Sequence, residues 1–326
     1  MEQPERFRDA EFFVERQGDV DIVARECRVS YISDCHRKPP VIAATMPVSY
    51  RRSGGASVTQ PVRVRVLLNF DALASQFDSQ RGLPQPALAA WMKAVNGIAS
   101  GVRLNVVEPG IGTGRIALPL AMVGHAVTGA DISAAMLATC AESAAALGVG
   151  EHLTLIQADA VYLPLPDQWF DLGVIAQLLY LVPDWPAVLD ELARLVKPGG
   201  HVVHLTEPTR EGANLRRWSG AWREMIESTG YRHTALSPTD AEVRAEFQRR
   251  WPDVEVQELA SWEFGQSVSQ AMDSYAGRLR PLYMSVSDDD WRKTSDRFLQ
   301  WASMEFPDKE ARLEGTVTLT AMIAAV

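Results

Sequence analysis

Cysteine is scarce in this sequence of 326 residues. There are three, at positions 27, 35 and 140, and the first two stand eight positions apart, with His36 beside the second. Domains held together by disulfides carry more cysteines, and structural zinc sites pair their ligands at short spacing. We therefore expect free thiols, no bound metal and a reducing, cytoplasmic environment.

A membrane-spanning run is also missing. A helix needs about 18 consecutive apolar residues to cross a bilayer. The nearest approach, Trp169–Val182, is shorter and contains Asp171 and Gln177. The first residues, MEQPERFRDAEFF, are charged and lack the apolar core of a signal peptide. The sequence thus predicts a soluble protein without a membrane partner.

An excess of basic charge is the third absence. The 41 acidic and 32 basic side chains give a net charge of −9, with a pI near 5.3. General nucleic-acid binding depends on basic surface that displaces counterions from phosphates. The hydrophobic fraction of 47% is enough to bury a large core. These values favour a globular protein that acts on a small molecule and not on nucleic acid.

The first 65 residues differ in composition from the rest. Between His36 and Arg65 there are six Arg or Lys residues, no Asp or Glu, and four prolines. This composition indicates a loop-rich extension over residues 1–65, either solvated or acting as a basic arm for an acidic partner. Three short runs within it have strand-like composition: Val20–Val23, Val29–Ile32 and Val41–Thr45.

From Phe70 onward, helix and strand patterns alternate along the chain. Two helices are predicted first, at Phe70–Gln80 and Pro86–Ala99. The predicted strands that follow are Leu104–Glu108, Ala126–Ala130, Leu153–Ala158, Phe170–Ala176 and His201–Thr206, and the helices between them are Arg115–Val123, Ala134–Leu147 and Ala187–Val196. Such alternation predicts an α/β fold with a Rossmann-like, doubly wound parallel sheet.

Beyond Glu207 the pattern is looser. Four helices and two strands are predicted there, at Leu215–Ser228, Thr239–Arg250, Val268–Arg278, Asp289–Ser303, Val254–Phe264 and Thr316–Ala325. Six of the nine tryptophans also lie in this part. They either line a pocket for an apolar or aromatic substrate or pack the helices onto the sheet.

A glycine-rich turn follows the first of the alternating strands. In EPGIGTGR, residues 108–115, three closely spaced glycines let the backbone turn sharply and approach a ligand. A dinucleotide-binding fold would place its third glycine at position 115, where Arg115 stands. Glu108 would repel a pyrophosphate. The turn therefore suits a ligand that carries an ammonium and a sulfonium.

The next two strands also end in acidic residues. Asp131 lies 21 positions after Gly110, where a carboxylate can accept hydrogen bonds from both ribose hydroxyls. A helix cap is its structural alternative, for which Ser133 is better placed. Asp159 follows the third strand, where it either accepts a hydrogen bond from an adenine amine or stabilises a surface turn.

These motifs, in this order, resemble the class I S-adenosylmethionine-dependent methyltransferases, in particular the small-molecule, type 11/25-like group. EPGIGTG resembles their glycine-rich first motif, GADIS the ribose-binding second strand, and QADA the adenine-contacting turn. FDLGVIAQLLYLVPDWPAVLDELARLVKPGG resembles the fourth strand, its helix and the turn that follows. FDALASQFDSQRG looks like the lid helix that often precedes the core. The resemblance covers residues 70–207.

The resemblance implies S-adenosylmethionine as the cofactor and a set of residues that would bind it. These are Phe77, Arg81, Glu108, Gly110, Gly112, Gly114, Asp131, Ile132, Asp159, Ala160 and Gln177. It also implies a seven-stranded sheet whose last strand, Thr316–Ala325, is antiparallel. Residues 66–326 would form this domain, and insertions at about 208–253 and 265–315 would cover the substrate or contact a second subunit of a homodimer.

The sequence indicates the residues that would contact the methyl acceptor less clearly than those that would bind the cofactor. Gln177 and Tyr180 follow the fourth strand, Glu207 ends the fifth, and His204 lies within it. Tyr180, Glu207 and His204 are candidates for orienting the acceptor or removing its proton. Each has a structural polar group as its alternative, and for His204 that alternative is favoured because the residue lies within an apolar strand.

Residues 176–182 lack three signatures of other methyltransferase groups. The Asn/Asp-Pro-Pro-Tyr motif of the amide-directed nucleic-acid enzymes is absent, and so are the acidic ligands of metal-dependent catechol-type enzymes. Leu179 and Tyr180 stand where small-molecule relatives often have a histidine pair. A histidine base at that point is therefore not expected.

Methyl transfer is an in-line displacement for which the protein supplies alignment and desolvation. We therefore expect an enzyme that methylates O, N or C of a small molecule, of the kind used in secondary metabolism. Two alternatives stay open at this point. One is a nicotinamide-dependent Rossmann oxidoreductase, and the other is a non-catalytic cofactor-binding partner protein.

Overall fold

The computed structural model describes residues 82–229, 238–277 and 286–326 in full, together with the backbone of five short strands between residues 20 and 59. The predicted helix Phe70–Gln80 and the candidate residues Phe77 and Arg81 lie outside the described residues. Within the described ranges, no cluster of three or more Asp, Glu, His or Cys side chains could hold a metal ion. None of the helices described there is long and apolar enough to cross a membrane.

Strands and helices are numbered here in chain order. The strands are β1 (Val20–Val23), β2 (Arg28–Ile32), β3 (Val41–Thr45), β4 (Ser49–Arg52), β5 (Ser57–Thr59), β6 (Asn105–Pro109), β7 (Ala126–Asp131), β8 (Leu153–Gln157), β9 (Phe170–Ala176), β10 (Val196–Thr206), β11 (Thr209–Glu211), β12 (Val254–Ser267) and β13 (Arg312–Ala325). The helices are α1 (Gln85–Ala99), α2 (Ala117–Met122), α3 (Ala134–Leu147), α4 (Trp185–Leu195), α5 (Ala213–Glu227), α6 (Asp240–Arg250), α7 (Val268–Ala276) and α8 (Asp288–Glu305).

Seven strands form the sheet that the sequence predicts, in the order β8-β7-β6-β9-β10-β13-β12. The neighbours among β6 to β10 pair in parallel, and β13 is antiparallel to both β10 and β12. The expected doubly wound α/β fold with an antiparallel last strand is thus confirmed. Three further strands widen the sheet, because β3 pairs with β8, β2 with β3, and β11 with β13.

Helices cover both faces of the sheet, as its apolar strands require. On one face, α1, α2 and α3 contribute Trp91, Leu120 and Leu137 to a buried cluster with β6, β7 and β8. On the other face, α4 and α6 contribute Leu189 and Phe247 to a second cluster. The ligand-binding edge of such a sheet lies at the carboxyl ends of its parallel strands.

The last two strands are longer than predicted and extend beyond that edge. β10 pairs only with residues 320–325 of β13, whereas β12 pairs with β13 from residue 312 onward. Residues 312–319 therefore continue past the end of β10 on the carboxyl side. The connection between β12 and β13 holds α7 and α8, so these two helices begin and end at this edge.

Helices α5, α7 and α8 pack together into a third buried cluster, which we call the aromatic cap. Its members include Trp218, Trp222, Tyr275, Trp291 and Phe298. The ring centroids of Trp222 lie 5.1 Å from Tyr275 and 5.5 Å from Trp291. These tryptophans therefore pack helices against one another, as one of the two interpretations of the aromatic-rich segment predicted.

The segment at about 208–253, which the sequence predicts to be a cover, lies in two different parts of the structure. Helix α5 joins the aromatic cap, whereas α6 packs beneath the sheet against α4. Arg250 fixes α6 there by donating to Asp190 Oδ1 at 2.8 Å and to the carbonyl oxygen of Pro186 at 2.9 Å. Of the two helices described in this segment, α5 is therefore the one that can contribute to a cover over the carboxyl edge.

Replacing Trp222 by alanine should destabilise the protein by about 3–5 kcal/mol, because it removes a large side chain from the centre of the aromatic cap. The midpoint of chemical denaturation measures this loss. Trp169, which is 59% exposed, is the matched control, and Trp169→Ala should change the free energy of unfolding by less than about 0.5 kcal/mol. Equal effects of the two changes would contradict the described packing of the cap.

Candidate active site

Five parallel strands end at one edge of the sheet and carry the candidate residues there. β6 ends at Pro109, directly after Glu108, while β7 ends at Asp131. The turns after β8, β9 and β10 carry Asp159, Gln177 and Glu207. Because the carboxyl ends of parallel strands share an edge, residues far apart in sequence come together there.

The glycine turn after β6 has a backbone that favours glycine. Gly110, Gly112 and Gly114 have φ angles of +70°, +55° and +89°. A Cβ atom on Gly110 would lie 2.7 Å from Leu178 Cδ1, and one on Gly114 would lie 2.7 Å from Cys140 Sγ. At Gly112, by contrast, no atom of the described residues lies within 4 Å of the Cβ position. Two of the glycines thus allow close packing, and the third faces open space.

Asp131 fixes this turn to the second strand. Its Oδ2 accepts a hydrogen bond from the backbone N–H of Gly112 at 2.9 Å, and its Oδ1 accepts one from Ser133 N–H at 2.9 Å. The Ser133 hydroxyl oxygen in turn accepts from Met136 N–H and forms the predicted N-cap of α3. One carboxylate therefore holds the glycine turn and the start of α3 in a fixed relation.

Two further turns stand beside Asp131. Ile132 is 39% exposed, and its carbonyl oxygen accepts a hydrogen bond from Gln157 Nε2 at 3.1 Å. Asp159 Oδ1 accepts from Val161 N–H at 3.1 Å, which is the turn-stabilising bond that its structural interpretation predicts. Ala160 is nearly buried behind it. The edge here presents an apolar side chain beside a carboxylate, a combination that suits a heteroaromatic ring with an amine.

Glu108 is the most unusual group at the edge. It is 2% exposed, and its Oε2 has no hydrogen-bond partner among the described residues. Burial raises the pKa of its carboxyl group to about 8; the Arg115 guanidinium opposes that shift and the Asp131 carboxylate adds to it. A buried carboxylate costs free energy unless a positive group pairs with it.

The residues on the acceptor side have three different surroundings. Gln177 has a φ of +54°, a strained conformation for a residue other than glycine. Tyr180 lies half-buried in the short 3-10 helix Leu179–Leu181. Glu207 forms an ion pair with Arg115. A strained backbone at the end of a central strand is typical of functional sites.

His204 lies in the packed layer beneath the sheet. Its ring stacks on Phe247 of α6 with a centroid distance of 6.0 Å, and it is 7% exposed. Burial lowers its pKa to about 4, and Nδ1 has no partner in the described part of the chain. This placement matches the structural interpretation of His204 and offers no support for a proton-transferring one.

The family described as "Methyltransferase domain" matches residues 107–204, which include the glycine turn and the first five parallel strands up to His204. The phosphatidylethanolamine N-methyltransferase of Cereibacter sphaeroides is 34% identical over 148 residues, which are 45% of this chain and 72% of that protein. The chain belongs to the class I S-adenosylmethionine-dependent methyltransferases.

Two further comparisons agree with the assignment of the chain to this family. The demethylmenaquinone methyltransferase of Desulfitobacterium hafniense is 33% identical over 156 residues, 46% of this chain, and the match spans 62% of that relative. A solved structure of phosphoethanolamine N-methyltransferase 2 of Haemonchus contortus, with S-adenosylhomocysteine bound, has a TM-score of 0.51 at 14% identity. It covers 96% of this chain and 70% of that one, and it shows a shared fold.

S-adenosylmethionine is the cofactor of this class, and the methyltransferase has a site that fits it. Among the described residues, the open space at Gly112 lies in the turn that follows β6, and the oxygen without a hydrogen-bond partner belongs to Glu108 near the end of that strand. A ligand with an ammonium group satisfies such a carboxylate, whereas a pyrophosphate would be repelled by it. Nothing in the fold or in the comparisons favours the nicotinamide-dependent alternative.

Two site residues of the methyltransferase were not singled out for a role by sequence reasoning. Arg115 entered it only as the residue that breaks a dinucleotide pattern, yet it pairs with Glu207, 92 positions away. Leu178 was not considered, although it packs on Gly110. No local pattern signals either contact, because each depends on how separate strand ends meet.

Proposed function

We propose that the chain transfers a methyl group from S-adenosylmethionine to an O, N or C atom of a small-molecule acceptor by in-line displacement. The observation that carries this proposal is the open space at Gly112 in the turn that follows Glu108, whose buried Oε2 has no hydrogen-bond partner among the described residues. When bound, the cofactor supplies an electrophilic methyl group on sulfur.

The cofactor-side roles follow from the contacts of each residue. We assign Glu108 to the ammonium group, because it is buried and its Oε2 is unpartnered. The backbone of the glycine turn lies along the amino-acid part of the ligand, with the open face at Gly112 toward it. Asp131, held in place by two backbone N–H groups, accepts from the ribose hydroxyls with its remaining lone pairs.

The adenine would lie beside Ile132 and the turn that holds Asp159 and Ala160. The exposed face of Ile132 supplies apolar contact, and Asp159 accepts a hydrogen bond from the exocyclic amine. We assign Gln177 to the boundary between cofactor and acceptor, because its strained backbone sets the direction in which the chain leaves the end of β9. Phe77 and Arg81 stay predictions, since they lie outside the described residues.

On the acceptor side, we retain Tyr180 as a residue that orients the acceptor and drop His204. Tyr180 follows β9 at the carboxyl edge, whereas His204 packs against Phe247 beneath the sheet. The aromatic cap, whose helices α5 and α7 follow β11 and β12, would cover the acceptor and exclude water from it.

The wider organisation is proposed on the same basis. Residues 66–326 form the methyltransferase domain, and residues 1–65 form an extension that adds β2 and β3 to the sheet. The cover consists of α5 together with the segment at about 265–315. A cytoplasmic location and a homodimer remain expectations from composition and resemblance.

Incubation with metabolite pools and S-adenosylmethionine carrying a labelled methyl group tests the proposed function. The pools should include the aminoalcohol lipids and quinone precursors that the names of the two relatives mention. We expect one product that carries the label and is heavier than its precursor by one CH₂ unit. Label that remains wholly in the cofactor across all pools, although the cofactor binds, would favour a non-catalytic binding protein.

A further inference from the structure

An ion pair joins the cofactor side of the site to its acceptor side. Arg115 Nη2 donates to Glu207 Oε1 across 92 positions of sequence. Arg115 follows the glycine turn after β6, and Glu207 directly follows β10. The two side chains are only 15% and 21% exposed, so solvent screens their attraction less than it would at the surface.

The same guanidinium also acts on Glu108. Arg115 lowers the pKa of that buried carboxyl, opposing the larger effect of burial, while Asp131 on β7 raises it. Arg115 thus interacts with one carboxylate of the cofactor site and is itself partly neutralised by a second one, Glu207. Among the described residues, the charged groups that act on Glu108 are Arg115 and Asp131, and Glu207 pairs with Arg115.

We infer that Arg115 and Glu207 are a positioning pair that keeps the Glu108 carboxylate available to the ammonium group of the cofactor. This inference rests on the proposed function. Arg115 supplies positive charge that favours the ionised form of Glu108 when the cofactor binds, and Glu207 restrains the guanidinium from pairing with Glu108 itself. The pair also ties the end of β10 to the glycine turn, which fixes the acceptor side relative to the cofactor.

This inference changes the role of Glu207. Glu207 Oε1 already accepts a hydrogen bond from the Arg115 guanidinium, so this oxygen is held by Arg115 at the end of β10. Glu207 is therefore a positioning residue that acts through Arg115, and not the group that removes a proton from the acceptor. The two roles of Glu207 predict different results for a cofactor ligand that binds without any acceptor present. A positioning residue affects the binding of such a ligand, whereas a base for the acceptor does not.

Calorimetric titration with S-adenosylhomocysteine from about pH 6 to about pH 9 provides the test. This ligand keeps the ammonium group and needs no acceptor. The quantity compared is the pH at which affinity reaches half of its maximum. In Arg115→Met the midpoint should move up by at least about one pH unit, the low end of the shift that a nearby opposite charge produces. In Arg115→Lys it should stay close to that of the wild type.

Glu207→Gln should move the same midpoint in the opposite direction. Without Glu207, the guanidinium loses a competing carboxylate and pairs with Glu108, so the midpoint falls and the maximal affinity decreases. Arg249→Met is the matched control, because it also removes a guanidinium from an ion pair, with Glu246 on α6, away from the carboxyl edge. It should leave the affinity and the midpoint unchanged.

Unchanged midpoints in both Arg115→Met and Glu207→Gln would overturn the inference and restore Glu207 as a candidate base. If Arg115→Met does not fold, Glu207→Gln decides alone, and an unshifted midpoint there is the refuting result. Failure of the wild-type protein to bind S-adenosylhomocysteine at any pH would instead refute the proposed function, so the two failures are distinguishable.

Discussion

Replacing Gly112 by valine should abolish measurable binding of S-adenosylmethionine, a loss of at least about 100-fold in affinity, or roughly 2.7 kcal/mol. The added side chain would project into a space where no atom of the described part of the chain lies within 4 Å of the Cβ position. It would also strain a backbone whose φ is +55°. Equilibrium dialysis or calorimetry with the purified variant measures the loss.

The Gly112→Val change combines backbone strain with a side chain that blocks the site, and a control must separate these two effects on binding. Gly124 is a matched control, because it also has a positive φ, +92°, and also has nothing within 4 Å of its Cβ position. It lies between α2 and β7, at the edge of the sheet opposite to the site. Gly124→Val should lose stability to a similar extent and still bind the cofactor. Equal affinities in Gly112→Val and the wild type would contradict the placement of the ligand.

Glu108→Gln should weaken cofactor binding by about 30-fold or more, since removal of one partner from a buried charge pair costs about 2–5 kcal/mol. The change should also remove the release of a proton that accompanies cofactor binding in the wild type. Burial raises the pKa of Glu108 to about 8 in the unliganded protein, so at pH 7 the carboxyl is mostly protonated. An ammonium ligand binds the ionised form, and binding therefore expels this proton.

Calorimetry at pH 7 in two buffers of different ionisation enthalpy measures the number of protons released. The difference between the wild type and Glu108→Gln should approach about one proton at pH 7 and should fall toward zero above pH 8, because Glu108 is then already ionised. The conservative variant Glu108→Asp keeps the charge and should keep part of the release. An identical proton count in the wild type and Glu108→Gln would show that the carboxyl does not meet the cation.

The cofactor side of the site could be predicted from the sequence because its signals are local. The glycines, Asp131 and Ser133 each follow a strand directly, and the strand, turn and helix that contain them are continuous in the chain. Ser133 caps α3 as predicted, and Asp131 holds the glycine turn through Gly112. Helix α2 is shorter than predicted, because the glycine turn occupies residues up to Ile116 before the helix begins.

The acceptor side could not be predicted to the same degree, because its contacts join distant segments. The ion pair between Arg115 and Glu207 depends on how β6 and β10 lie in the sheet, which no pattern in either segment reveals. The environment of His204 depends on which helix covers that face, and α6 supplies Phe247 from 43 positions further on. The division of residues 208–253 between the aromatic cap and the underside of the sheet is of the same kind.

The most direct test of the central claim is a calorimetric titration of the wild-type protein with S-adenosylmethionine and, separately, with NADH. We expect saturable binding of one S-adenosylmethionine per chain in roughly the micromolar range and no heat of binding from NADH. Micromolar binding of NADH together with no binding of S-adenosylmethionine would contradict the assignment of the glycine turn and Glu108 to a cationic cofactor.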